Sequence, residues 1–243
     1  MMKIAALLAV GLGFIFTGAA HAASDQQTLV DEARSTVDHL KTDKEFGNAL
    51  KMLHSARAVL IVPNLIKGGP FLGGEGGNGV MIARDDPGAQ WWSYPAFYTL
   101  ASASFGLQIG VKSAEVVMLV MSDKALHALE QDQFKFGAQA NLTVVTLGTN
   151  AQIATSTALN SADIIVWASA SGAYTGLTLE GSLVKPRDSY DESYYGRPIT
   201  VQGLLNMHEG RNQGADGLRS SLMCPPRSIK ASRCLFQNGK VSS

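Results

Sequence analysis

Charge is scarce in this sequence, and cysteine nearly so. Only 16% of the 243 residues are Asp, Glu, Lys or Arg, and 20 basic side chains are balanced by 20 acidic ones. A nucleic-acid footprint needs a basic excess clustered on one face, so nucleic acid is not an expected partner. The cysteines are Cys224 and Cys234, both near the C-terminus. No further ligands stand near them at metal-site spacing, so no metal is expected. Catalytic signatures are missing as well. His39, His54, His127 and His208 are scattered, with no H-E-x-x-H pair, and no G-x-S-x-G elbow occurs. Ser182 and Lys185 match S-x-x-K, but on a stretch that reads as a strand, whereas that chemistry needs the serine to open a helix that stacks the lysine one turn away. The chain is therefore read as a non-enzyme without a cofactor.

The first 22 residues read as a secretory signal. A single charge at Lys3 precedes an apolar run from Ile4 to Phe16 and an Ala20-His21-Ala22 site, too short and wrongly flanked for a spanning helix. Cleavage before Ala23 predicts a periplasmic or secreted protein. In that oxidising setting Cys224 and Cys234 are expected to form a disulfide, closing a small loop worth about 2 to 3 kcal/mol. Residues 23–205 read as one domain with a single large core, followed by a basic tail over 206–243. From His208 to Ser243 that tail sets Arg211, Arg219, Arg227, Lys230, Arg233 and Lys240 against Glu209 and Asp216.

The densest signal is the run from Arg57 to Arg84, which carries seven glycines between Gly68 and Gly79. Apolar flanks at Ala58–Val62 and Val80–Ala83 read as buried strands, so the glycines are structural, allowing close approach of backbone or ligand. Gly74, Gly76 and Gly79 have the G-x-G-x-x-G spacing of dinucleotide sites, yet Val80, Met81 and Ile82 follow where that motif needs a helix. No lysine follows at P-loop spacing either.

Elsewhere the periodicity is clear. Leu29, Ala33, Val37 and Leu40, then Phe46, Leu50 and Leu53, mark one broken or two consecutive amphipathic helices between Gln26 and about His54. Asp85 to Gly88 reads as a turn. Ser104–Lys112 alternates like a strand, and Glu115–Met121 is nearly all apolar, as a strand covered on both faces should be. Ser122 can cap a short helix over Asp123–Gln131. Phe134–Thr146, Asp163–Ser169 and Gly172–Lys185 supply more strands. The fold class is α+β and β-rich: a strongly curved, mainly antiparallel, barrel-like sheet with the N-terminal amphipathic helices packed on it.

Several long segments resemble the SYLF domain family in its bacterial exported branch. They are AVLIVPNLIKGG (Ala58–Gly69), GGEGGNGVM (Gly73–Met81), WSYPAFYTL (Trp92–Leu100), SFGLQIGVKSAEVVMLVMSDKAL (Ser104–Leu126), GLTLEGSLVKP (Gly176–Pro186) and YYG (Tyr194–Gly196). The resemblance covers roughly Gln26 to Leu205. It implies a β-rich core with helices around it and a lipid-binding module, since eukaryotic members bind phosphoinositide-containing membranes and fungal members also bind and bundle actin. The implied partner is membrane phospholipid or another amphiphile; the second reading is an envelope structural or protein-interaction domain that binds no lipid.

Lipid contact needs apolar area and a few polar groups for a headgroup. Trp91, Trp92, Tyr94, Phe97 and Tyr98 are the aromatic candidates; the same cluster could instead seal one end of the sheet. Lys67, Lys112 and Lys185 are the polar candidates for a headgroup, with Arg84 beside them. Glu75 and Glu180, framed by glycines on strands, are expected to be buried carboxylates that need partners such as Lys112, Arg57 or backbone amides.

Overall fold

The computed structural model describes residues 24–42, 52–68, 72–105, 112–147, 161–170, 179 and 181–223. Residues 1–22, expected as a leader, lie outside these, as do Glu180, both cysteines and most of the strand expected over Gly172–Lys185.

Ser24 starts α1 (Asp25–Leu40): its hydroxyl accepts from the Gln27 amide at 3.3 Å, and Asp25 sits in the positively polarised first turn. Leu29, Val30, Ala33, Val37 and Leu40 form its buried face, the three- and four-residue spacing expected of an amphipathic helix. Eight strands follow: β1 (Ala58–Gly68), β2 (Leu72–Ala83), β3 (Ala96–Phe105), β4 (Lys112–Val120), β5 (Phe134–Lys135), β6 (Leu142–Leu147), β7 (Ile164–Ala170) and β8 (Leu183–Pro186). They form one curled half-barrel sheet in the order β5-β8-β3-β2-β1-β4-β7-β6, antiparallel except for the β6–β7 pair.

Alternation along the central strands sends apolar side chains to both faces. Ala58, Leu60 and Val62 join Met81, Tyr98, Val116, Met118 and Val166 in one core. Val59 and Ile61 join Val80, Ile82, Phe97, Val117, Leu119, Ile165 and Trp167 in the other. The first core is closed by α2 (Asp123–Leu129), by α4 (Val201–Leu205) and by Phe134 and Phe136, whose rings meet edge to face at 5.0 Å. The second is closed by α1, by α3 (Asp188–Tyr195) through Tyr194, and by α5 (Asp216–Met223) through Leu218 and Leu222. Double cover is why β4 is wholly apolar from Val116 to Val120. Ser122 caps α2 as its sequence suggests, accepting from the Ala125 amide at 3.2 Å.

Packing continues past Leu205, where the domain boundary was expected. A 3₁₀ turn (Gln213–Ala215) leads into α5, which lies on α1: Lys41 donates to the Ser221 hydroxyl and carbonyl, and Ser221 Oγ donates to Asp38 at 2.6 Å. Leu218 and Leu222 are a single i,i+4 pair, too short to show periodicity in the sequence. Ala96–Phe105, a run of small and aromatic residues, forms β3.

The glycines of β2 answer an irregularity in β1. Around Pro63 and Asn64 the register of β1 shifts against both neighbours, between Ile61 and Ile66 on the β2 side and between Val62 and Leu65 on the β4 side. Such a bulge bends its strand, and proline, lacking an N–H, suits it. The bulged backbone is pressed against β2. A Cβ on Gly79 would lie 2.5 Å from the Ile61 carbonyl oxygen, and one on Gly77 2.6 Å from the Asn64 oxygen, whereas at Gly76 the nearest atom is 3.9 Å away. The G-x-G-x-x-G spacing thus belongs to a strand that makes room for its neighbour, and no helix follows it.

Gly79→Ala should therefore lower the unfolding free energy by about 1 to 3 kcal/mol through overpacking, while Gly76→Ala should change it by less than about 0.5 kcal/mol. Urea titration of the two variants checks this. Equal losses would mean that the bulge does not set the glycine requirement.

Candidate functional site

The loop joining β2 to β3, residues 84–95, is held more tightly than its lack of regular structure suggests. Arg84, 5% exposed, donates to four carbonyl oxygens: Leu53, His54, Ala56 and Ala89. Its guanidinium also lies 4.4 Å from the centre of the Trp92 ring. Burial, with Arg57 nearby, lowers its pKa from the ordinary value. A side chain committed in this way has no free donor face for a headgroup, contrary to the expectation that grouped Arg84 with the lysines. Arg57, expected as a partner of Glu75, instead donates to Asp123 and to the Arg84 carbonyl.

A second arginine fixes the far side of the loop. Arg219 of α5 donates to the Trp92 carbonyl at 2.9 Å and to Asp216 at 3.0 Å, and stacks 4.1 Å over the Tyr94 ring. Tyr94 donates to Asp216 at 3.0 Å, so burial and that carboxylate raise its pKa. The Tyr195 hydroxyl donates to the Pro95 carbonyl at 2.6 Å, and His208 meets Asp85 at 3.0 Å.

The aromatic cluster of the sequence is divided by this arrangement. Trp92, Phe97 and Tyr98 are buried, Phe97 and Tyr98 on opposite faces of the sheet because they are consecutive in β3. Phe97 meets Tyr194 edge to face at 5.1 Å. Tyr98 donates to the Leu129 carbonyl at 3.1 Å, and complete burial raises its pKa well above the usual tyrosine value. These three are packing residues with no surface to offer a ligand. Tyr94 is partly buried. Trp91 is 75% exposed.

The polar candidates are not brought together with it. Lys185 is exposed on β8, opposite Thr99 of β3. Lys67 lies in register between Glu75 of β2 and Lys112 of β4, in a row that continues to Ser102 of β3. Glu75 is buried.

One buried carboxylate gave no warning. Asp191 of α3 is 0% exposed; its Oδ1 accepts from the Phe97 amide at 3.0 Å, and Oδ2 has no hydrogen-bond partner among the described residues. Here the β3–β8 ladder ends. Arg187 donates to the Phe97 carbonyl at 2.8 Å, and the Asp191 carboxyl supplies the next acceptor in place of a strand. Burial, with Asp188 nearby, pushes its pKa to about 8 despite the amide hydrogen bond. Its only cue in the sequence is that Asp191 stands three residues before Tyr194 on one face of a short helix.

Among the described residues no three His, Cys, Asp or Glu side chains are grouped to hold a metal, and no helix is long and apolar enough to cross a membrane. A family profile described as "Ysc84: Las17-binding protein actin regulator" matches residues 101–223, just over half of the sequence. The chain belongs to the Ysc84 family. This is the SYLF family of the sequence resemblance. Similar proteins include Protein YSC84 of Saccharomyces cerevisiae, 25% identical over 64% of this chain and 33% of that protein. SH3 domain-containing YSC84-like protein 1 of Pongo abelii is 28% identical over 60% and 42%, and LAS seventeen-binding protein 3 of S. cerevisiae 24% identical over 64% and 34%. The chain thus matches between a third and about two-fifths of these relatives' lengths. No solved structure matches it significantly. Within this Ysc84-family chain the profile spans β4, the braces Asp191 and Arg219, and all of α5.

The Asp191 carboxyl sets a pH dependence. Its folded pKa of about 8 lies above the ordinary 3.8, so the fold favours the neutral acid. That contribution is complete below pH ~4, shrinks as pH rises and is gone above pH ~8. Asp191→Asn keeps the acceptor for the Phe97 amide without the charge. It should match the parent near pH 4, exceed it by a few kcal/mol at pH 9, and show a flatter stability profile between. Thermal or urea unfolding across that range measures it; parallel profiles would mean that Asp191 is ionised in the fold without penalty.

Proposed function

We propose that this Ysc84-family chain is a non-catalytic, exported binding module that docks on phospholipid surfaces. The observation that carries the reading is Trp91: a large aromatic side chain, three-quarters exposed, on a loop anchored through carbonyls at Ala89 and Trp92. A ring of this kind suits the boundary between hydrocarbon and water, and transferring it from water contributes about 1.5 to 3 kcal/mol. The contact belongs at the surface. Both faces of the sheet are filled by buried side chains, among them Leu60, Met81, Phe134 and Met118 on one and Ile61, Ile82 and Phe97 on the other. Residence in the periplasm or outside the cell follows from reading residues 1–22 as a cleaved leader.

A second reading draws on the family description, which names Las17 binding and actin regulation, and on the relative named LAS seventeen-binding protein 3. There the exposed ring docks on an envelope protein and lipid is not bound.

Flotation separates the two. Protein expressed from the whole sequence and purified after the cell's own processing should rise with phospholipid vesicles in a density gradient. If it stays at the bottom with every vesicle composition while crosslinking in cells traps a discrete complex, the protein-interaction reading replaces the lipid one.

A further inference from the structure

Of the eight methionines, Met1 and Met2 open the chain, and exposure divides the rest into two groups. Met81 and Met118, 0% and 1% exposed, lie in the first core, and Met52 and Met121 pack partly buried against the second. Met207 is 65% exposed and Met223 42%, and neither belongs to either core. Oxidation of a thioether follows access to its sulfur, and a sulfoxide inside a core would be a polar group without a partner. At Met207 and Met223 the sulfur is within reach and the fold does not depend on its staying apolar.

Both exposed methionines stand beside residues that anchor the loop of Trp91. Met223 follows Arg219 by four residues on α5, hence on the same helix face, and Arg219 donates to the Trp92 carbonyl at 2.9 Å. Met207 lies two residues beyond α4, its amide donating to the Gln202 carbonyl at 3.2 Å, and it precedes His208, whose ring meets Asp85 of the loop at 3.0 Å. With Trp91 they make three of the four large apolar side chains exposed among the described residues; the fourth, Ile66, lies on β1. The thioethers open to an oxidant are therefore the two that adjoin the braces of the docking loop.

We propose that Met207 and Met223 are a pair of oxidation sites whose conversion to methionine sulfoxide weakens docking through the Trp91 loop. This rests on the phospholipid reading above and adds its regulation. The oxidant is a hydroperoxide. The sulfur lone pair attacks the terminal peroxide oxygen, and the S–O bond forms as the O–O bond breaks. The proton on the transferred oxygen passes to the departing one, which from hydrogen peroxide leaves as water; sulfur gives up two electrons and the peroxide takes them. A dithiol reverses the change, becoming a disulfide while the sulfoxide oxygen departs as water. A sulfoxide is a strong acceptor that holds its water, so a side chain carrying one no longer gains by leaving the solvent.

Peptide mapping by mass spectrometry after graded hydrogen peroxide should show one added oxygen at Met207 and at Met223 well before any at Met81 or Met118, with the circular dichroism of the untreated protein retained. Flotation with vesicles of phosphatidylcholine and phosphatidylglycerol in equal parts then reads docking. The oxidised protein should bind about ten-fold more weakly, and sulfoxide reductases supplied with a dithiol should restore the binding. Met207→Leu combined with Met223→Leu, which keeps apolar volume without an oxidisable sulfur, should lose the response to peroxide. If the untreated protein floats with no vesicle, the phospholipid reading falls and the switch with it. If it floats and the protein carrying both sulfoxides floats equally well, or if Met81 and Met118 are oxidised as fast as Met207 and Met223, the phospholipid reading stands and the redox switch is overturned.

Discussion

A sheet whose central strands are apolar on both faces has to be covered twice, and helix placement in this chain follows from that need. With Ala58 to Val62 alternating between two cores, neither face can be left to water. At about 25 cal/mol per Å² of apolar surface, uncovering either face would cost more than a typical domain's whole net stability. Hence α1, α3 and α5 lie on one side and α2 and α4 on the other. The cover must also reach the sheet's irregular places. Where β1 bulges at Pro63 and Asn64, β2 yields with Gly77 and Gly79; where β8 stops, a carboxylate from α3 takes over as acceptor for the Phe97 amide.

What the sequence made legible was whatever depends on near neighbours. The alternation of β1 and the unbroken apolar run of β4 announced strands, and Ser122 announced a capped helix, because period and capping involve residues at most four apart. The β-rich, barrel-like class followed from counting such strands. What stayed hidden depends on distant pairs. The glycine spacing was visible, but the atom that forbids a side chain at Gly79 is a carbonyl on another strand, at Ile61. Arg84 could be taken for a headgroup ligand because four backbone carbonyls leave no trace in a list of side chains. Likewise Trp91, Trp92, Tyr94, Phe97 and Tyr98 looked like one cluster because they fall within eight residues of sequence; a strand that begins at Ala96 necessarily sends Phe97 and Tyr98 to opposite faces.

Polar side chains at the ends of the sheet do the work that hydrogen-bonded ladders do in its middle. Arg84 and Arg219 together give six hydrogen bonds to backbone carbonyls and Asp216, and both stack on rings, Trp92 and Tyr94. Two buried or half-buried cations are costly to desolvate unless their donors are all placed. Here the acceptors are placed by α5, by residues 53–56 and by the loop itself, so the brace forms only once these segments have docked. The loop is consequently as fixed as the elements around it.

That rigidity gives the exposure of Trp91 its physical meaning. On a slack loop the ring would fold back onto apolar surface and gain about 1.5 to 3 kcal/mol. Carbonyls held at Ala89 and Trp92 restrict that retreat, so the chain keeps an apolar side chain in water at a standing cost. A partner that covers the ring recovers that free energy without having to order the loop, since the ordering was completed in folding. Two exposed methionines add adaptable apolar area, suited to a surface with no fixed shape. A protein partner would reward complementary contours and a polar rim with matched hydrogen bonds, whereas a fluid interface would reward a small, preorganised apolar tip such as the Trp91 ring.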